Sequence, residues 1–165
     1  MKYNPDKHHR RSIRLPGYDY TQAGLYFITI CIWQRECLLG HVINSTVELN
    51  RYGQVVQYNW NLLAKKFTNV QLDEFVIMPN HIHGVIKLIE SGNQPLSEVI
   101  RSFKTSSTRR INQLRESIGV PVWQRNYYEH IIRNEESFNI ICEYIINNPL
   151  SWEQDQLHPN NPSKW

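Results

Sequence analysis

With 165 residues, 41% of them hydrophobic and 20% charged, the chain has the make-up of an ordinary soluble globular protein, which excludes a disordered or low-complexity polypeptide. Three cysteines without a Cys-x-x-Cys pair exclude a zinc knuckle and a disulfide framework, and no apolar run approaches the roughly 20 residues of a membrane span. One domain over 1–165 in a reducing cytoplasm is therefore expected, with neither export nor membrane insertion.

The net charge of +3 permits a polyanionic partner without requiring one. It is concentrated in residues 1–20, a basic arm and lead-in, where Lys2, Lys7, Arg10, Arg11 and Arg14 stand with His8 and His9 against Asp6 in the first fifteen positions. Leu15-Pro16-Gly17-Tyr18-Asp19-Tyr20 then reads as turn-rich. The run from Leu25 to Trp33, dense in β-branched and aromatic residues, predicts a strand buried on both sides. A short strand is expected around Leu38 to Ile43.

From Leu49 to Phe67 the residues Tyr52, Val55, Val56, Trp60, Leu63 and Phe67 recur three or four apart, which predicts one amphipathic helix. Val70 to Met78 and His81 to Leu88 form two strands joined by Pro79-Asn80, a turn dipeptide. His81 and His83 are two apart on the second strand, so both imidazoles leave the same face and can share one ligand. Gly84 beside them is expected to let a bulky group such as a phosphodiester approach the backbone.

A second helix is expected from the spacing of Leu96, Val99, Ile100, Phe103, Ser107, Ile111 and Leu114. Its polar side carries Arg101, Lys104, Thr105, Thr108 and Arg109, either a solvated surface or a phosphate-contacting stripe. Tyr127 to Ile132 reads as a last strand. Asn134 caps a final helix whose buried face is Phe138, Ile141, Cys142 and Ile145 and which Pro149 ends, leaving a polar tail over 150–165 expected to pack loosely. This order predicts an α+β sandwich with helices packed on one antiparallel sheet, close to a ferredoxin-like βαββαβ core, plus a C-terminal helix.

On that final helix Tyr144 and Asn148 are one turn apart on one face. If the face looks across at His81 and His83, three protein ligands (His81, His83, Asn148) and a hydroxyl nucleophile (Tyr144) converge on one divalent cation and a phosphate. Tyr144 as a core aromatic and Asn148 as a plain helix terminus are the structural alternatives. Trp123, Tyr127 and Tyr128 have the faces to stack on unpaired bases, with core packing as their alternative.

Several segments carry a resemblance: Met78-Pro79-Asn80-His81-Ile82-His83-Gly84, Ser102-Phe103-Lys104, Val122 to Asn134, and Glu143-Tyr144-Ile145-Ile146-Asn147-Asn148-Pro149. Together with Arg11-Ser12-Ile13-Arg14-Leu15 and Tyr26-Phe27-Ile28-Thr29, they are similar to the single-tyrosine HUH transposases, and within these to the REP-associated tyrosine transposases. The resemblance implies an endonuclease and strand-transferase acting on single-stranded, hairpin-forming DNA with Mg²⁺ or Mn²⁺. It implies Tyr144 as nucleophile through a 5′-phosphotyrosine, and His81, His83 and Asn148 as metal ligands. DNA contacts are expected at Arg10, Arg11, Arg14, Arg101, Lys104, Trp123, Arg125 and Tyr127. The protein would sit in the cytoplasm, at the nucleoid when bound to DNA, with a homodimer left open. A hairpin-binding protein that no longer cuts is the competing expectation. A ferredoxin-like RNA-binding domain fits less well, because the strands lack an RNP-type pattern.

Overall fold

The computed structural model describes residues 14–90 and 94–161. Arg10 and Arg11 lie outside these described residues. A sheet of β1 (Gly24–Cys31), β4 (Val70–Met78), β5 (His81–Leu88) and β6 (Tyr128–Ile132) runs in the order β4-β5-β1-β6 with every pair antiparallel. Counting only these four strands the order is 2-3-1-4, the arrangement expected of a βαββαβ core.

Two long helices and a short one cover one face. α1 (Arg51–Asn61), followed by the short α2 (Leu63–Lys66), and α3 (Leu96–Leu114) bring Val56, Trp60, Val99, Phe103 and Ile111 onto Tyr26, Ile28, Ile30, Ile82 and Ile86. The three-to-four spacing of these residues makes that contact continuous. Leu114, expected on the buried stripe, is exposed at the end of α3. On the opposite face α4 (Glu135–Asn147) packs Ile145, Phe138 and Ile141 on Phe27, Val85 and Ile132. Asn134 caps α4, its side chain accepting from Ser137 N at 2.8 Å.

Three departures from the sequence expectation have physical causes. The short strand β2 (Gly40–Ile43) turns back through Asn44 and Ser45, both at positive φ, into β3 (Thr46–Leu49), and Asn50 then caps α1 by accepting from Tyr52 N and Gly53 N. The expected single helix from Leu49 thus begins later and is broken at Leu62. Gly84 opens no space toward the histidines. A Cβ there would come within 2.5 Å of the Trp60 ring, so the glycine admits the indole on the helix-covered face.

The tail is not loose over its described residues, 150–161. Beyond α4 the chain tightens into a 3₁₀ turn (Asn148–Gln154), with Trp152, Asp155 and Leu157 buried. The Asn80 side chain donates to Leu157 O at 2.7 Å and fastens this segment to the β4–β5 turn. No helix among the described residues is long and apolar enough to cross a membrane.

Candidate active site

His81 and His83 lie on the α4 side of β5, paired in register with Cys31 and Thr29 of β1. Both are buried. Asn80 fixes the first imidazole. Its amide nitrogen donates to Arg35 O (3.1 Å) and Leu157 O (2.7 Å), which turns its carbonyl oxygen toward His81 Nδ1 at 2.8 Å. Nδ1 therefore carries the proton and Nε2 keeps its lone pair. His83 Nδ1 is hydrogen-bonded to Thr29 Oγ1 at 2.7 Å, and its Nε2 lies 3.3 Å from the Tyr144 hydroxyl.

Burial pushes His81 down to about 4 from its ordinary 6.5, against the opposing influence of Asp155 and Asn148. His83 is held well below 6.5, first by burial and then by His81. Both imidazoles are thus neutral at pH 7, the form that ligates a cation. Burial, and secondarily Asp155, raises the Tyr144 phenol above 10, with Asn148 pulling the other way.

Asn148 is buried beside both His81 and Tyr144. Its Oδ1 and the Nε2 of His81 are buried without a hydrogen-bond partner among the described residues. Such orphans are costly unless something absent from a protein-only picture engages them. Asp155 completes the group: its Oδ1 accepts from Leu157 N at 2.7 Å, while its Oδ2 is 3.8 Å from His81 Nε2. That separation is too long for a hydrogen bond but suits two donors each about 2 Å from one cation. Ligand atoms of His81, His83 and Asp155 lie within 4.8 Å of one another. Two imidazoles, a carboxylate and an amide oxygen fit a divalent cation.

Of the residues nominated from sequence, His81, His83, Tyr144 and Asn148 come together here. Tyr127 joins them along a cavity of about 530 Å³ that also reaches His83, Tyr144 and Gln124. Its hydroxyl accepts from the Arg14 guanidinium at 3.2 Å, and Arg14 also pairs with Glu129 at 3.5 Å. Arg125 is exposed on the loop before β6. Trp123 corrects its expected role as a stacking platform: it is 7% exposed, packs on Phe103 and donates its indole N–H to Ser107 Oγ at 2.9 Å. Lys104 does not lie along an open stripe. Its ammonium donates to the carbonyls of Gln124 (2.7 Å), Arg125 (3.3 Å) and Asn126 (3.1 Å), and burial lowers it to about 8. Arg101 stays on the outer surface of α3, paired with Glu98.

Sequence reasoning passed over Thr29, Asn80 and Asp155. The first two left signals, a small hydroxyl side chain in an apolar strand and a turn residue abutting His81. Asp155 left none beyond the apolar Trp152 and Leu157 that flank it.

Residues 41–148 match the IS200-like transposase family, and the chain belongs to that family. Within it, the chain is 28% identical to the REP-associated tyrosine transposase of Escherichia coli (strain K12) over 72% of either chain. It is 46% identical to an uncharacterized protein of Haemophilus influenzae over 95% of this chain and 97% of that one. A solved structure of a REP-associated tyrosine transposase bound to a REP hairpin shares the fold, with a TM-score of 0.64 at 21% identity over 84% of this chain and 73% of that one.

Proposed function

We propose that this protein is a metal-dependent endonuclease and strand-transferase for single-stranded DNA that folds into a hairpin, with Tyr144 as nucleophile. One observation carries this reading: the Tyr144 hydroxyl stands 3.3 Å from His83 Nε2, next to the orphaned His81 Nε2 and Asn148 Oδ1. His81, His83, Asn148 and Asp155 would hold Mg²⁺ or Mn²⁺, which when bound withdraws charge from the scissile phosphate.

The remaining chemistry belongs to the chain. Tyr144 Oη attacks phosphorus and the bond to the 3′-oxygen breaks. The departing oxygen takes a proton from solvent and ends as a free 3′-hydroxyl, the phenolic proton leaves to solvent, and the 5′-phosphate stays on the tyrosine. Phe27 stacks on His83, with ring centroids 5.4 Å apart, and meets Tyr144 edge-on at 6.2 Å, fixing imidazole and phenol relative to each other. The hydrogen bonds of Asn80 and Thr29 keep both imidazoles in register with a common ion. All these side chains come from one chain, so the reading requires no second copy.

The test uses a hairpin oligonucleotide with single-stranded flanks, taken from palindromes near the coding region, and Mn²⁺. A denaturant-resistant DNA adduct should map to the peptide containing Tyr144 and vanish in Tyr144→Phe. An adduct on Tyr127 or Tyr128 would refute the nucleophile. Hairpin binding without any adduct would favour a protein that recognises the hairpin but does not cut. Calorimetric titration should show one Mn²⁺ site, lost in the His81→Ala/His83→Ala double variant.

A further inference from the structure

The cavity beside Tyr144 is lined by Phe27, Tyr127 and Tyr128 together with three amide-bearing residues, Gln124, Asn126 and Gln156. The backbones that carry these amides are pinned. Gln124 N donates to Cys31 O at 2.8 Å, and the Lys104 ammonium gathers the carbonyls of Gln124, Arg125 and Asn126. Gln156 sits between Asp155, whose Oδ1 accepts from Leu157 N, and Leu157, whose carbonyl accepts from Asn80. The three amide groups themselves make no hydrogen bond to any described residue. Fixed backbones presenting unengaged amides around an aromatic-lined cavity are what recognition of a flat, hydrogen-bonding ligand requires.

Resting on the assignment of Tyr144 as nucleophile, we propose that this cavity takes one unpaired nucleobase adjoining the attacked bond and that Gln124 and Gln156 read its edge. Tyrosine faces accept any base with little sequence demand, so the rings supply affinity. Amides supply the choice. A glutamine amide sets a donor beside an acceptor, and two amides fixed relative to each other fit the edge of one base better than those of the other three. Lys104 is then a positioning residue: held away from phosphate by three carbonyls, it keeps the 124–126 loop in place.

The test uses the full chain carrying Tyr144→Phe, with Mn²⁺, and fluorescence anisotropy on the hairpin oligonucleotide described above. An abasic site walked along the single-stranded flanks should find one position where affinity falls about tenfold, within the range expected for losing one stacked base. At that position one base should bind better than the other three. Adding Gln124→Ala and Gln156→Ala should erase the preference while leaving affinity for the abasic oligonucleotide unchanged. Equal binding of all four bases, or preference retained in the double variant, overturns the proposal. Because the readout is binding, failure here with an intact wild-type adduct rejects the base pocket alone. Base preference without any adduct rejects the nuclease reading instead.

Discussion

The two faces of β5 show how one strand serves stability and chemistry at once. Ile82, Gly84 and Ile86 face the helices, where Trp60 stacks on Phe75 with centroids 4.3 Å apart and planes 4° apart in the space that Gly84 leaves. His81, His83 and Val85 face α4, where His81 Nε2 and Asn148 Oδ1 are buried without a partner among the described residues, against the Trp60 indole nitrogen alone among the residues named on the other face. An unsatisfied buried polar group costs about 1–3 kcal/mol, whereas a fully buried large apolar side chain contributes about 1.5–3 kcal/mol. The helix-covered face therefore offsets what the site face costs, and substitutions on the two faces should have opposite signatures.

The largest contrast is expected at Tyr144. Tyr144→Phe should abolish the DNA adduct while changing stability by no more than about 1 kcal/mol, since one long hydroxyl contact is lost. A folded variant that still forms the adduct would break the contrast. Trp60→Ala, on the other face, should lower the unfolding free energy in urea by about 3–5 kcal/mol through loss of the buried indole. Gly84→Ala should cost about 1–3 kcal/mol by driving a methyl against the Trp60 ring, and unchanged stability would show that the ring can shift.

Acid should act on the site face. The folded chain resists protonating His81 until about pH 4, whereas the unfolded chain takes that proton near 6.5, so between these values the unfolded state binds more protons. Stability should be full above 6.5 and fall as the pH drops toward 4. Denaturation midpoints that stay level across this window would contradict the buried neutral imidazole. The smallest effect is expected outside both faces. Arg101→Ala should leave stability within about 0.5 kcal/mol and, if Arg101 meets a phosphate, reduce the salt slope of hairpin affinity by about one.

Local patterns made much of this legible. Apolar runs on either side of the Pro79-Asn80 turn placed β4 and β5 with the observed bounds, the two-residue spacing put both histidines on one face, and capping chemistry placed Asn134 at the start of α4. Strand alternation already separates Gly84 from the histidines, since neighbouring strand residues point apart. β3 was hidden because its four residues end in Leu49, which also fits the apolar spacing of the following helix. For Trp123 the sequence leaves base stacking and core packing both open, and only the fold decides, by bringing Ser107 under its indole nitrogen. Asp155 depends on the tail folding back to Asn80, a long-range contact with no period to announce it.

β5 is hydrogen-bonded on both sides, to β4 and to β1, while Tyr144 rides on a helix held by a small apolar cluster. Amide protons in such an interior strand exchange only through near-global unfolding, whereas a peripheral helix can open alone. The histidines and the tyrosine thus belong to regions with different opening free energies. Native-state hydrogen exchange should find the amides of 82–86 among the slowest in the molecule and those of 140–146 faster, with the frame of the site outlasting its nucleophile.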